Sequence, residues 1–171
     1  MVSKVFRDER GFFLEAFNEA AFGNAGLPGH FVQDNQSRSS KGVLRGLHYQ
    51  LDRSQGKLVR VTRGSIFDVA ADIRRGSPTF GRWIGVNLDD SELMALWIPP
   101  GFAHGFCALT ESADVTYKTT EFYSPADERG IIWNDPTLAI AWPEKKPTLN
   151  PKDSSFPMLL ETEELPEFNG N

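Results

Sequence analysis

A chain of 171 residues, 40% hydrophobic and 24% charged, has the size and composition of one globular unit with a sizeable core, which excludes disorder as the default. Its net charge of −5 argues against a broad nucleic-acid-binding face, while leaving room for a local basic pocket that holds a phosphorylated small molecule. No apolar run approaches the roughly 20 residues that a membrane span requires. Met1-Val2-Ser3-Lys4 leads into charged sequence rather than a signal peptide's apolar stretch, so a cytoplasmic location without membrane contact is expected.

Short apolar or alternating runs between Gly, Pro, Asn and Asp, with little helical periodicity, mark the chain as mostly β. The opening Val5 to Gly11 leaves a sheet edge that a second copy of the chain would cover, and a homodimer is expected on that ground. A short helix follows near Asn18 to Phe22. Strands are then predicted over Phe31 to Gln36, Val43 to Gln50 and Lys57 to Arg63. Thr62-Arg63-Gly64-Ser65 reads as a hairpin turn in which Gly64 supplies a positive φ. Ser65 to Ile73 and Arg82 to Leu88 are the next strands, closed by the polar turn Leu88 to Glu92. Met94 to Ile98, Gly105 to Leu109 and Ala113 to Phe122 complete the set, and a second short helix is expected over Met158 to Glu164. Past Trp142 the density of Pro and Lys rises, which reads as a C-terminal segment, about residues 146–171, wrapped on the barrel instead of a second domain.

The resulting expectation is a single domain over residues 1–171, a mainly β, antiparallel double-sheet jelly roll with a few short helices and a pocket at its mouth. The 13 Phe and 4 Trp are expected mostly in the core and at interfaces. Cys107, the one cysteine, lies between Phe106 and Ala108 and reads as a buried packing residue rather than a nucleophile.

Two segments resemble the paired metal-site motifs of the cupin jelly roll. In the first, Gly42 and His48 are kept, but Gln50 and Gln55 stand where a second His and a carboxylate belong. In the second, Pro99-Pro100-Gly101-Phe102-Ala103-His104 keeps the Pro, Gly and His. Neutral amides are weak ligands for a first-row divalent ion, so neither a metal nor another cofactor is expected. His48 and His104 are then available for acid-base work or ligand hydrogen bonds, against the plainer alternative of structural imidazoles bonded to a neighbouring strand. Strict alternation puts Arg45 and His48 on opposite faces of their strand. A bulge or twist near Gly46 would be needed to bring both into one pocket.

Asp8-Glu9-Arg10-Gly11-Phe12-Phe13-Leu14-Glu15, Phe31-Val32-Gln33-Asp34-Asn35, Arg45 to Gln50, Gln55-Gly56-Lys57, Ser65 to Val69, Pro100 to Phe106 and Tyr117-Lys118 through Tyr123-Ser124-Pro125 resemble, in order, the dTDP-4-dehydrorhamnose 3,5-epimerase family. The resemblance implies inversion of C3 and C5 in a dTDP-4-keto-6-deoxy sugar through an enolate, with His48 as base, Tyr117 as proton donor and Asp153 as the carboxylate orienting the base. It also implies Lys57 and His104 as sugar contacts, Arg45 and Arg10 as contacts of the nucleotide, and Tyr123 as the ring stacked on thymine. Glu15, Gln33, Asn35, Glu128 and Lys152 match further nucleotide or sugar contacts. Each has a plainer alternative: a loop aspartate for Asp153, a solvated strand-end lysine for Lys57, surface residues for the rest. Family members carry more residues ahead of Val5-Phe6, in a strand that pairs in the dimer, and that strand looks shortened here. A 3- or 5-epimerase acting at one centre, a sugar-nucleotide-binding module without turnover, a 3,4-ketoisomerase-like barrel and a metal-dependent cupin dioxygenase are the competing functions.

Overall fold

The computed structural model describes residues 4–170. Met1 to Ser3, which entered the reading of the leader, lie outside them. Eleven strands run in the order β1 (Val5–Asp8), β2 (Gly11–Leu14), β3 (Gln33–Ser40), β4 (Leu44–Gln50), β5 (Lys57–Arg63), β6 (Ser65–Asp72), β7 (Trp83–Asp89), β8 (Ala95–Ile98), β9 (Phe102–Ala108), β10 (Ser112–Thr119) and β11 (Glu128–Gly130). A helix, α1 (Glu19–Asn24), and a 3-10 turn at Leu159–Glu161 are the described helical elements. Among the described residues no helix is long and apolar enough to cross a membrane.

A four-stranded sheet in the order β3-β10-β5-β8 and a five-stranded sheet in the order β11-β4-β9-β6-β7, both antiparallel, make the double-sheet jelly roll. Period-two alternation divides each strand between two environments. On β6, Ile66 and Ala70 join Val59, Val61, Phe106, Ala113 and Val115 in one apolar cluster, while Val69 and Ala71 join Leu44, Leu47, Ala103 and Cys107 in another. The second cluster is completed by Ile131, Leu138, Trp142, Leu159 and Leu165 from the C-terminal part of the chain. The five-stranded sheet is therefore buried on both faces, and Cys107, fully buried, is a packing residue as expected.

Helix α1 starts at Asn18, whose side chain accepts the Ala21 N–H at 3.0 Å. It packs Phe22, with Phe17, Phe31 and Trp97, on Leu58 and Ala95 of the four-stranded sheet. The C-terminal segment is tied to the start of β4 by backbone hydrogen bonds between Thr148 and both Gly42 and Leu44.

Two expectations change. Gly64 has the predicted positive φ of 75°, yet β5 and β6 lie in different sheets, so the turn carries the chain across the sandwich and is not a hairpin. β1 and β2, where no strand pair was predicted, form a separate two-stranded sheet with Phe6, Phe12 and Phe13 exposed on it.

Alternation also breaks inside β4. Arg45 and His48 are three apart, and the register against β9 shifts between them. Gly46 sits in the break at φ 129°, and a Cβ there would stand 2.5 Å from Gly105 Cα and 2.8 Å from the His104 carbonyl oxygen. Glycine at 46 is thus required twice, for the conformation and for the close approach of β4 to β9.

Candidate active site

At one end of the sandwich the apolar filling gives way to a cavity of about 360 Å³. β3 lines it with Gln33, Asn35 and Ser37, β4 with Arg45, His48 and Gln50, β5 with Lys57, β9 with His104 and Phe106, and β10 with Tyr117; Tyr123 and Glu128 close its rim. The break at Gly46 supplies the bulge that the alternation argument required, so Arg45 and His48 share this cavity. His48 and Tyr117 approach it from opposite sheets.

His48 is hydrogen-bonded through Nε2 to Asp153 Oδ1 at 2.9 Å, and Asp153 is 1% exposed. Asp153 Oδ2 accepts the Gly46 N–H at 3.1 Å. Burial pushes the Asp153 carboxyl up, but the hydrogen bond and charge of His48, the Gly46 amide and Asn150 outweigh it and hold the group below the usual carboxylate range. An ionised Asp153 accepts only, so Nε2 carries the proton and Nδ1 keeps the free lone pair. Phe156 packs edge-on to the ring, with centroids 5.7 Å apart.

His104 pairs directly with His48 in the strand register. The two imidazoles are thus neighbours in one sheet. His104 Nε2 lies 3.0 and 3.1 Å from the two oxygens of Asp68, which is fully buried. Asp68 was not singled out from the sequence; a carboxylate inside the apolar run Ile66 to Val69 was the available signal, because a buried charge needs a partner. Ser37 was missed as well. It follows Gln33 and Asn35 at period two, and its Oγ is buried without a hydrogen-bond partner.

Lys57 is buried, and desolvation brings its ammonium down to about 8 against the pull of Asp68 and Glu128. Tyr117 moves the other way. Burial raises its phenol, with Arg45 lowering and Glu128 raising it by smaller amounts. Arg45 is braced by Ser39 Oγ at 3.0 Å and the Arg38 carbonyl at 3.2 Å. Burial raises the Glu128 carboxyl, but hydrogen bonds from Lys152 and Tyr123 and the nearby cations bring it below its ordinary value. The Tyr123 phenol donates to Glu128 at 2.7 Å.

The family model described as dTDP-4-dehydrorhamnose 3,5-epimerase matches residues 1–161. The chain belongs to the dTDP-4-dehydrorhamnose 3,5-epimerase family. It is 59% identical over 152 residues to the enzyme of that name from Shigella flexneri, covering 88% of this chain and 84% of that one. Its fold superposes with a TM-score of 0.95 and 50% identity on the dTDP-6-deoxy-D-glucose-3,5-epimerase of Legionella pneumophila, solved in complex with dTDP-4-keto-L-rhamnose, covering 98% of this chain and 91% of the other. It is also 42% identical over 156 residues to a dTDP-4-dehydrorhamnose 3-epimerase from Streptomyces niveus, covering 90% of this chain and 75% of that one.

Of the residues that the family resemblance implied, those on β3, β4, β5, β9, β10 and β11 meet in the cavity, as does Tyr123. Asp153 stands behind His48, and Lys152 reaches the site through Glu128. Arg10 and Glu15 do not. Arg10 lies in the turn of the β1–β2 sheet, paired with Asp8 and 85% exposed, and Glu15 follows β2, also exposed.

The Lys57 charge sets a pH expectation. It is present below about pH 8 and lost above it, so kcat/KM, which reports the free protein, should fall on the alkaline side with a midpoint near that value. Lys57→Met should remove this limb from the profile as well as lowering activity; a wild-type profile flat to pH 10 contradicts the assignment.

Proposed function

We propose that this chain inverts C3 and C5 of dTDP-4-dehydro-6-deoxy-D-glucose to give dTDP-4-dehydro-L-rhamnose, using its own side chains as acid and base. Hydrogens on C3 and C5 flank the C4 carbonyl, so each can leave as a proton with its bonding pair delocalised into an enolate. Return of a proton to the opposite face of the same carbon inverts it. His48 Nδ1 takes the proton, Asp153 orients the ring and balances the imidazolium, and Tyr117 delivers a proton from the other side. The imidazolium then gives up its proton to solvent and the ionised tyrosine takes one up, which resets both groups before the second carbon is inverted. The observation that carries this reading is the placement of His48 and Tyr117 on opposite sheets facing one cavity.

Lys57 and His104 line the same cavity and are the groups to share the charge that develops on the enolate oxygen, a contribution that grows in a water-poor site. Arg45 offers the fork geometry that suits a diphosphate. Tyr123 is the face for thymine, and Gln33, Asn35, Glu128 and Lys152 are the remaining nucleotide or sugar contacts. Arg10 and Glu15 fit this scheme in a homodimer, where the exposed β1–β2 sheet with Phe6, Phe12 and Phe13 lies against a second copy and carries both residues to that copy's cavity. Inversion at C3 alone is the second reading, favoured by the name of the Streptomyces niveus relative.

Turnover in deuterated water separates the two: label at both C3 and C5 is expected, and label confined to C3 establishes the second reading. His48→Ala should lower kcat/KM by about 10²–10⁴-fold, the usual contribution of a positioned base, and retained turnover removes His48 from that role. Sedimentation should show a dimer, with Arg10→Ala raising KM for the sugar nucleotide; a monomer that binds dTDP as tightly as the assembled protein contradicts the shared site.

A further inference from the structure

After β10 ends at Thr119, the stretch Glu121 to Ser124 belongs to no strand. Its backbone groups are held by side chains. Gln50 Oε1 accepts the Ser124 N–H at 2.7 Å, while its Nε2 donates to the Phe122 carbonyl at 3.1 Å and the Arg53 carbonyl at 2.7 Å. Gln33 Oε1 accepts the Tyr123 N–H at 2.9 Å, and Gln55 Nε2 donates to the Glu121 carbonyl at 2.8 Å. A primary amide offers a donor and an acceptor, as a peptide group does, so the three glutamines serve in place of an absent neighbouring strand.

Gln50 makes bonds on both sides of Tyr123 and is 3% exposed, where water competes little for them. The Tyr123 ring, by contrast, is 48% exposed, and its neighbour Phe122 is 52% exposed. Packing therefore does little to aim the ring. Its direction comes from the backbone that carries it and from the phenol's bond to Glu128. Gln50 and Gln55 are also the two residues at which the cupin metal-site pattern is broken, and here both amides turn to the same loop.

We propose that Gln50, supported by Gln33 and Gln55, is a positioning residue that aims Tyr123 at the nucleobase, so that nucleotide affinity depends on these amides through the backbone of residues 121–124. The inference rests on the assignment of Tyr123 to the base made above. A preorganised ring binds without the cost of ordering its loop, and the loss of that order appears in binding more than in chemistry.

The test is a double-mutant cycle on the full chain, titrating dTDP by calorimetry into the unmodified protein, Gln50→Met, Tyr123→Ala and the double variant. Gln50→Met is expected to weaken dTDP by about tenfold and raise KM for the sugar nucleotide similarly, with kcat changing less than about threefold. In the Tyr123→Ala background the same change should cost less than about twofold. Unchanged dTDP affinity in Gln50→Met, or an equal loss in both backgrounds, overturns the inference while leaving the base assignment standing. Normal affinity in Tyr123→Ala overturns that assignment and the inference with it. Gln55→Met, which removes a single bond at Glu121, runs the same cycle with a smaller first step if Gln50→Met does not fold.

Discussion

Asp153 has two carboxylate oxygens, and the site depends on what each of them holds. Oδ1 accepts a hydrogen bond from the Nε2–H of His48, and Oδ2 accepts one from the N–H of Gly46, the residue at which β4 breaks its alternation. The same group that orients the imidazole therefore braces the bulge that lets Arg45 and His48 enter one cavity. A buried carboxylate is stable only when partners satisfy it, and here the partners are the His48 imidazole and the Gly46 amide. Its position is set in turn by the C-terminal segment, which Thr148 fastens to the start of β4 and which Leu159 and Leu165 anchor in the apolar cluster behind the five-stranded sheet.

The space between the sheets is graded along its length. Where Val61, Ile66, Ala108 and Ala113 meet it is filled with hydrocarbon, and where Lys57, His104 and Tyr117 meet it is open and polar. This gradient shifts the titratable groups that line the open end. Burial brings the Lys57 ammonium down to about 8, which leaves it charged at neutral pH, and raises the Tyr117 phenol, which keeps the phenol protonated and able to donate. Asp68 sits at the boundary between the two zones, fully buried and bonded to His104. The two histidines, adjacent in the sheet, are thus each held by a carboxylate of different origin: one from within the sheet, one from the segment wrapped behind it.

Much of this was readable from residue pattern, and the failures have physical causes. Strands such as Lys57–Arg63 and Ser65–Asp72 were found within a residue because their burial makes them short, mostly apolar runs bounded by polar and glycine turns. Strand Gln33–Ser40 was cut short because one face is polar cavity lining and the other is exposed, leaving no apolar alternation to follow. The β1–β2 sheet escaped for a related reason: its residues are largely exposed in the isolated chain. The Gly64 turn was placed correctly but joined to the wrong partner, since local turn chemistry does not say which sheet receives the next strand. In the site, period-two reasoning placed Arg45 and His48 apart and named Gly46 as the point where it would have to fail. Of the residues that act from a distance, Asp68 behind His104 left a trace as a carboxylate in an apolar run, whereas the roles of the amides behind Tyr123 were beyond reach, because they are set by contacts remote in sequence.

Asp153 fixes the protonated nitrogen of His48 and so leaves Nδ1 as its basic atom. Long-range proton–nitrogen NMR of the His48 ring, recorded on the neutral imidazole in the unmodified protein and in Asp153→Ala, reads that directly. The expected result is a ring protonated at Nε2 that becomes a mixture of tautomers in the variant. A neutral ring protonated at Nδ1 in the unmodified protein, or a tautomer unchanged by the substitution, would contradict it.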